Sequence, residues 1–298
     1  MGISLTSDGG SILASWLEPI GAEAHRVRFA ALDIASGRWG EASTVAEGED
    51  VLASAVALPT TMRGASGTLF TTFLRRGAGD EASFVHIAAS SNGVTWRSLG
   101  PVHDDATDTE HGHVSLLAEG DGVRVVWLDG RAAVESGPTA IRTALFDSDG
   151  RRMGGDVLDE RVCDCCQTAA TTTTDGPLIV YRDRTDDERR DLAHVRRAGD
   201  RWTRPTELAN DGWTIRGCPV NGPQVAAEGE RVVVHPGPRG DAGGSRSCRP
   251  DSESRGALPH RVAGKAPGRA GRSRLPAPRF RAEGAALALS RRGSAGEP

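Results

Sequence analysis

The residues best suited to chemistry fall in three short stretches of this 298-residue chain: Glu110-His111-Gly112-His113, Cys163-Asp164-Cys165-Cys166 and Cys218-Pro219-Val220-Asn221. Thiolates and imidazoles are soft to borderline ligands, so Cys163, Cys165, Cys166, Cys218, His111 and His113 could together hold copper or zinc. The same four cysteines make an even set and could instead form disulfides. Cys163 or Cys165 could bridge to Cys218, or Cys165 could close a ring with Cys166. Residence in an oxidising compartment, secreted or periplasmic, would favour the bridges. Cys-x-Cys-Cys lacks the separated pairs of a zinc ribbon, so a cofactor-free, disulfide-stapled reading and a metal reading both stand. The stretch Asp104–Glu110 offers oxygen ligands for calcium but lacks the spacing and glycine of an EF-hand, and reads better as a solvated loop. Asp186-Asp187-Glu188-Arg189-Arg190 reads as a charged turn, and His25, His86, His103 and His194 show no partner pattern.

What places these stretches together is a repeat. Apolar runs recur at Ile12–Glu18, Thr68–Arg75, Val123–Asp129, Leu178–Asp183 and Arg231–His235, with anchors at Trp16, Phe73, Trp127, Tyr181 and His235. The anchor intervals are 57, 54, 54 and 54 residues. A Gly-containing turn signal precedes each run (Asp8-Gly9-Gly10 and Glu119-Gly120-Asp121-Gly122 among them), and helical periodicity is nearly absent. Several short strands per unit of about 54 residues, repeated, describe the blades of a β-propeller. Each anchored run is expected to be the innermost strand of its blade. Equivalent positions of successive blades lie at one end of the central channel. His113, Cys166 and Cys218 precede successive anchors by 14, 15 and 17 residues, so their loops should converge at the channel mouth.

Composition divides the chain near residue 234. Residues 1–234 carry 23 basic and 35 acidic side chains, and residues 235–298 carry 13 and 5, so the overall net charge of −4 describes neither part. All six Trp precede the division, and Arg, Gly, Pro, Ala and Ser dominate after it. The reading is a propeller over 1–234 and a basic, disordered tail over 235–298, since so few apolar residues cannot offset the entropy of ordering. Lys265 is the only lysine against 35 arginines. GC-rich DNA read out of frame yields such a composition, so the tail is read as out-of-frame sequence, with a native basic tail as the rival. No apolar stretch approaches the roughly 18 residues of a membrane-spanning helix, no signal peptide is visible at the start, and the charge gives no reason to expect nucleic acid. A closed ring would be expected to be monomeric.

The stretch Ala89-Ser90-Ser91-Asn92-Gly93-Val94-Thr95-Trp96 resembles the Ser-x-Asp-x-Gly-x-Thr-Trp Asp-box of sialidase-like propellers with BNR repeats. It keeps Gly93, Thr95 and Trp96, with Ala89 and Ser91 at the Ser and Asp positions. The segments 162–168 and 211–223 are also similar to those of bacterial sialidase-like proteins of unassigned activity. The resemblance covers about residues 3–234 and implies a propeller, usually six-bladed, of which four to five blades are recognisable here. For a sialidase it further implies three arginines gripping a carboxylate and a tyrosine nucleophile. Tyr181 is the sole tyrosine and so the one candidate, with Arg131, Arg182 and Arg184 as the anion-binding set. The family's Arg-Ile-Pro motif is absent, and Tyr181 stands in the repeat slot of a core aromatic. The expectation is therefore a sialidase-like propeller that binds a carbohydrate or small ligand at a Cys/His mouth. An exo-sialidase or other glycoside hydrolase, and a metal-binding periplasmic protein, are the alternatives.

Overall fold

The computed structural model of the chain describes residues 2–54, 58–79, 81–229, 231–237 and the backbone of 287–289. It is all-β, with a single short 3-10 turn at Arg131–Glu135 among the described residues. Five antiparallel sheets follow one another along the chain. Sheet 1 contains β1 (Ile3–Ser7), β2 (Ser11–Pro19), β3 (His25–Asp33), β4 (Arg38–Trp39) and β5 (Ser43–Gly48). Sheet 2 contains β6 (Thr60–Arg63), β7 (Leu69–Arg76), β8 (Ser83–Ser90) and β9 (Arg97–Pro101). Sheet 3 contains β10 (His111–Glu119), β11 (Gly122–Asp129), β12 (Ala140–Phe146) and β13 (Arg152–Asp159). Sheet 4 contains β14 (Ala169–Thr173), β15 (Gly176–Arg182), β16 (Leu192–Ala198), β17 (Arg201–Trp202) and β18 (Thr206–Ala209). Sheet 5 contains β19 (Gln224–Glu228), β20 (Arg231–His235) and β21 (Leu287–Leu289). Of the expected tail, residues 235–237 and the backbone of a short strand at 287–289, paired with β20, are described, and the rest lies outside the described residues.

The repeat register corresponds to one anchored run per sheet: β2, β7, β11, β15 and β20. These runs are not innermost. In each sheet the strand before the anchored one is the edge that meets its neighbours: β1 packs beside β6, β6 beside β10, β10 beside β14 and β14 beside β19. The physical reason is burial. An inner edge strand borders the channel, whereas the second strand is covered on both faces and carries the densest apolar sequence. Every residue of β11 is buried. Its alternation sends Val123, Val125 and Trp127 towards Phe70, Val85 and Ile87 of sheet 2. The opposite face sends Val126 and Leu128 towards Ile179, Tyr181 and Val195 of sheet 4. Each such buried side chain contributes about 1.5–3 kcal/mol relative to exposure.

The hairpin between β8 and β9 is where the Asp-box resemblance lies. The Ser90 hydroxyl accepts from the backbone N–H of Gly93 (2.9 Å), and Asn92 Oδ1 accepts from Val94 and Thr95 N–H (2.9 Å each). Ser90 and Asn92 therefore do the turn-closing work expected of positions 89 and 91. Gly93 has φ +72°, and a Cβ there would press on Phe29 and Leu69. Trp96 meets Phe29 edge-on at 5.2 Å and donates its indole N–H to Ser43 (2.9 Å), which fastens this hairpin to sheet 1. No helix among the described residues is long and apolar enough to cross a membrane.

Candidate functional site

β10 starts opposite the end of β11, in the register His111↔Asp129, so the loop entering β10 and the turn leaving β11 open on one end of the propeller. The loops entering β14 and β19, and the β15–β16 turn, open on that end too. Two disulfides knit them. Cys163 bonds Cys166 (Cα–Cα 5.6 Å), and Cys165 bonds Cys218 across 53 residues of sequence (Cα–Cα 6.0 Å). The Cys165–Cys218 staple is one of the expected pairings, whereas the alternative Cys165–Cys166 ring does not form, and none of the four sulfurs is left as a thiolate for copper or zinc. Asp164 and Cys165 form a turn that brings Cys163 and Cys166 together, while Cys165 on that turn reaches Cys218 of the loop entering β19.

Around the disulfides lies a set of charges that the sequence presented as a turn and a solvated loop. Arg190, 1% exposed, donates to Cys163 Sγ (3.2 Å), Asp164 Oδ1 (3.3 Å) and Glu188 Oε2 (2.8 Å). Arg184 donates to Asp164 Oδ2 (3.3 Å) and Glu188 Oε1 (2.7 Å). Asp164 is thereby held on two guanidinium groups at the mouth. Glu110 sits at the foot of β10 with its outer surface open to solvent. Crowding by the loops, with the negative potential of Asp164 and Glu81, pushes its carboxyl up to about 7. His113 occupies a bulge between Gly112 and Ser115 and is buried, which holds its imidazole down to about 4 against the pull of Asp164.

Backbone strain collects at this end. Among the described residues, the non-glycine residues with positive φ are His113 (50°), Ser136 (58°), Glu188 (64°) and Val220 (44°). All four lie on the loops just described, and such residues persist where surrounding structure holds them for a purpose. Trp213, half-buried on the loop entering β19, lies under the Arg182 guanidinium at 4.3 Å.

The residues expected to form a sialidase set are not assembled as one. The Tyr181 hydroxyl donates to Asp159 Oδ2 (2.7 Å) in the core between sheets 3 and 4. Burial, then Asp159, raises its phenol far above the ordinary range, the reverse of nucleophile activation. Arg182 is buried and donates to the carbonyls of Asn221 (2.8 Å), Arg190 (2.9 Å) and Pro236 (2.7 Å), so it joins sheets 4 and 5. Arg131 is taken up by Asp129, Asp104 and Asp105, and Arg184 by Asp164 and Glu188. These arginines point to acids of the protein and not to a shared anion site. His111 likewise turns away from the cysteines, stacking on His103 at 4.0 Å beside Asp105.

No protein-family model matches the sequence, and no curated protein matches it. Among solved structures the fold is similar to the α-L-arabinanase of Penicillium chrysogenum complexed with arabinobiose, with TM-score 0.52 and 13% identity over 76% of this chain and 72% of that one. It is similar also to the α-L-arabinofuranosidase of Lactobacillus brevis, with TM-score 0.50 and 13% identity over 82% of this chain and 85% of that one. The fold is a β-propeller. At such identities the likeness concerns architecture, and the sialidase resemblance rests on the β8–β9 hairpin and the two loop segments alone.

Glu110, Asp164, Glu188 and Arg190 are mouth residues to which sequence reasoning gave no role of their own, reading a solvated loop and a charged turn. Their one usable signal was position, since Glu110 directly precedes β10 and the others lie on loops at the end where the repeat places His113, Cys166 and Cys218.

Proposed function

We propose that the mouth formed by the loops around Glu110–His113, Cys163–Cys166, Arg184–Arg190 and Cys218–Asn221 binds a carbohydrate, and that Glu110 and Asp164 flank the sugar for glycoside hydrolysis. In this reading Glu110 gives its proton to the leaving glycosidic oxygen as the C–O bond breaks. A water molecule bonds to the anomeric carbon, and its proton passes to the Asp164 carboxylate. The half-buried Trp213 ring offers an apolar face for a sugar, and the two disulfides hold the loops in place so that little ordering is left for binding. The observation that carries the reading is the coincidence of two carboxylates with four strained non-glycine residues at one end of the propeller. Propeller neighbours that act on arabinose-containing substrates make neutral furanosides the first class to try. The Tyr181 phenol bound to Asp159 argues against the sialidase alternative.

The test is amide hydrogen exchange of the full chain with and without arabinobiose and a panel of neutral pyranoside disaccharides. Binding is expected to slow exchange in residues 110–113, 163–166, 184–190 and 218–222. Protection by no sugar in the panel, or protection confined to other segments, would overturn the assignment.

A further inference from the structure

A second cluster lies where the loop after β9 meets sheets 2 and 3. It joins His103 and Asp105 of the loop after β9, His111 at the start of β10 and Asp129 at the end of β11. His111 is fully buried, and its Nδ1 faces two backbone carbonyls, Ser83 O at 3.2 Å and Thr109 O at 3.1 Å. Two acceptors there place a proton on Nδ1, so in the neutral ring Nε2 carries the lone pair. That lone pair is aimed at carboxylate oxygen, with Asp105 Oδ2 3.4 Å away and Asp129 Oδ2 3.8 Å away. It makes no hydrogen bond among the described residues, and neither does the buried Nε2 of His103.

An imidazole nitrogen facing two carboxylates calls for positive charge between them, either a proton on Nε2 or a metal ion. Ligand bonds of 2.0–2.2 Å set about 109° apart place donor atoms roughly 3.3–3.6 Å from one another, so the observed 3.4 Å spacing is that of a tetrahedral zinc edge rather than a hydrogen bond. Metal-bound histidines characteristically donate their other ring N–H to a backbone carbonyl, as His111 does here. Asp105 is also oriented: its Oδ1 meets His103 Nδ1 at 3.0 Å, and its Oδ2 accepts from the Thr107 hydroxyl. Arg131 takes Oδ1 of both Asp105 and Asp129. It also reaches Asp129 Oδ2, which the Trp127 indole N–H joins at 2.9 Å.

We infer that His111 Nε2, with the carboxylates of Asp105 and Asp129, forms a binding site for one divalent cation of the zinc class, the His103 ring supporting it by stacking on His111. The set mixes imidazole and carboxylate donors, which suits zinc or cobalt better than calcium, for which all-oxygen ligands are the rule. The site is structural in character. It closes the loop 102–110 onto sheets 2 and 3, and is independent of the cysteines, whose sulfurs are committed to disulfides.

The test is calorimetric titration of the chelator-treated, non-reduced full chain with Zn2+, repeated with Co2+ while visible absorption is recorded. The wild type is expected to take up one equivalent and to give the d–d bands of four-coordinate cobalt. Asp105→Asn and His111→Gln should each weaken binding at least 10-fold, with folding checked by circular dichroism. Asp105→Asn serves as the gentler change because its side chain borders solvent. Absence of a stoichiometric site in the folded wild type, or wild-type affinity in a folded Asp105→Asn variant, would overturn the inference and make the cluster a protonated His111 ion pair. The sugar-protection experiment does not depend on this result, so the two fail separately.

Discussion

At the residue scale, side-chain types were legible in the sequence and their partners were not. The cysteines and histidines stood out because soft donors are rare here, but whether Cys165 meets Cys166 or Cys218 depends on strand direction. Tyr181 illustrates the same point: its slot in the repeat marked it as a core aromatic, while the Asp159 acceptor could only be seen in three dimensions. Tyr181→Phe is expected to strand a buried carboxylate oxygen and lower stability by about 1–3 kcal/mol, measured by urea unfolding, with no loss of any glycosidase activity. The buried histidines set a pH dependence. Burial first, then Arg75, holds His86 down to about 4, and burial with Arg196 lowers His194 as well. Their folded values lie below the unfolded value near 6.5, so the unfolded chain binds more protons in that interval. Stability is therefore full above about 6.5 and falls as pH drops towards 4. Urea midpoints at pH 7 and pH 5 should show the decline, and His86→Gln should make it shallower. An equal slope in that variant would remove His86 as a cause.

At the element scale, the repeat of about 54 residues was readable because strands alternate with period 2 and turns demand glycine. The order of layers within a blade was misread. Apolar density marks the strand covered on both faces, which is the second one, and the strand lining the channel is more polar, as β14 (Ala169–Thr173) shows. The Cys165–Cys218 bridge spans the loops that enter β14 and β19, and closing a 53-residue loop stabilises the chain by about 4 kcal/mol in the chain-entropy account. Cys165→Ser with Cys218→Ser should lower the urea midpoint accordingly and speed amide exchange in residues 211–223. Unchanged exchange there would show that the Asp191 carboxylate, which accepts from Gly212 and Trp213 N–H at 3.0 and 2.9 Å, suffices to hold the loop.

At the scale of the whole molecule, charge and composition divide an acidic part, residues 1–234, from a basic part, residues 235–298, but do not say how the end sheets are covered. Sheet 1 packs Leu13, Leu17, Val27 and Phe29 against sheet 2. Its other face holds an apolar groove lined by Ile3, Ala14, Trp16, Ala30 and Trp39, with Ile3 and Trp39 more than half exposed. We propose from composition alone that residues 235–298 are out-of-frame sequence. Translation of the gene in its other two frames should then restore an anchored strand about 54 residues beyond His235, and its absence from both frames would leave a native basic tail. The central claim concerns a different feature, the mouth formed by the loops of sheets 3, 4 and 5. It is tested most directly by the rate of hydrolysis of aryl glycosides, arabinofuranosides first, by the wild type, Glu110→Gln and Tyr181→Phe. The account predicts turnover by the wild type and by Tyr181→Phe, with a loss of about 10²- to 10⁴-fold in Glu110→Gln. Turnover that survives Glu110→Gln, or that vanishes only in Tyr181→Phe, would contradict it.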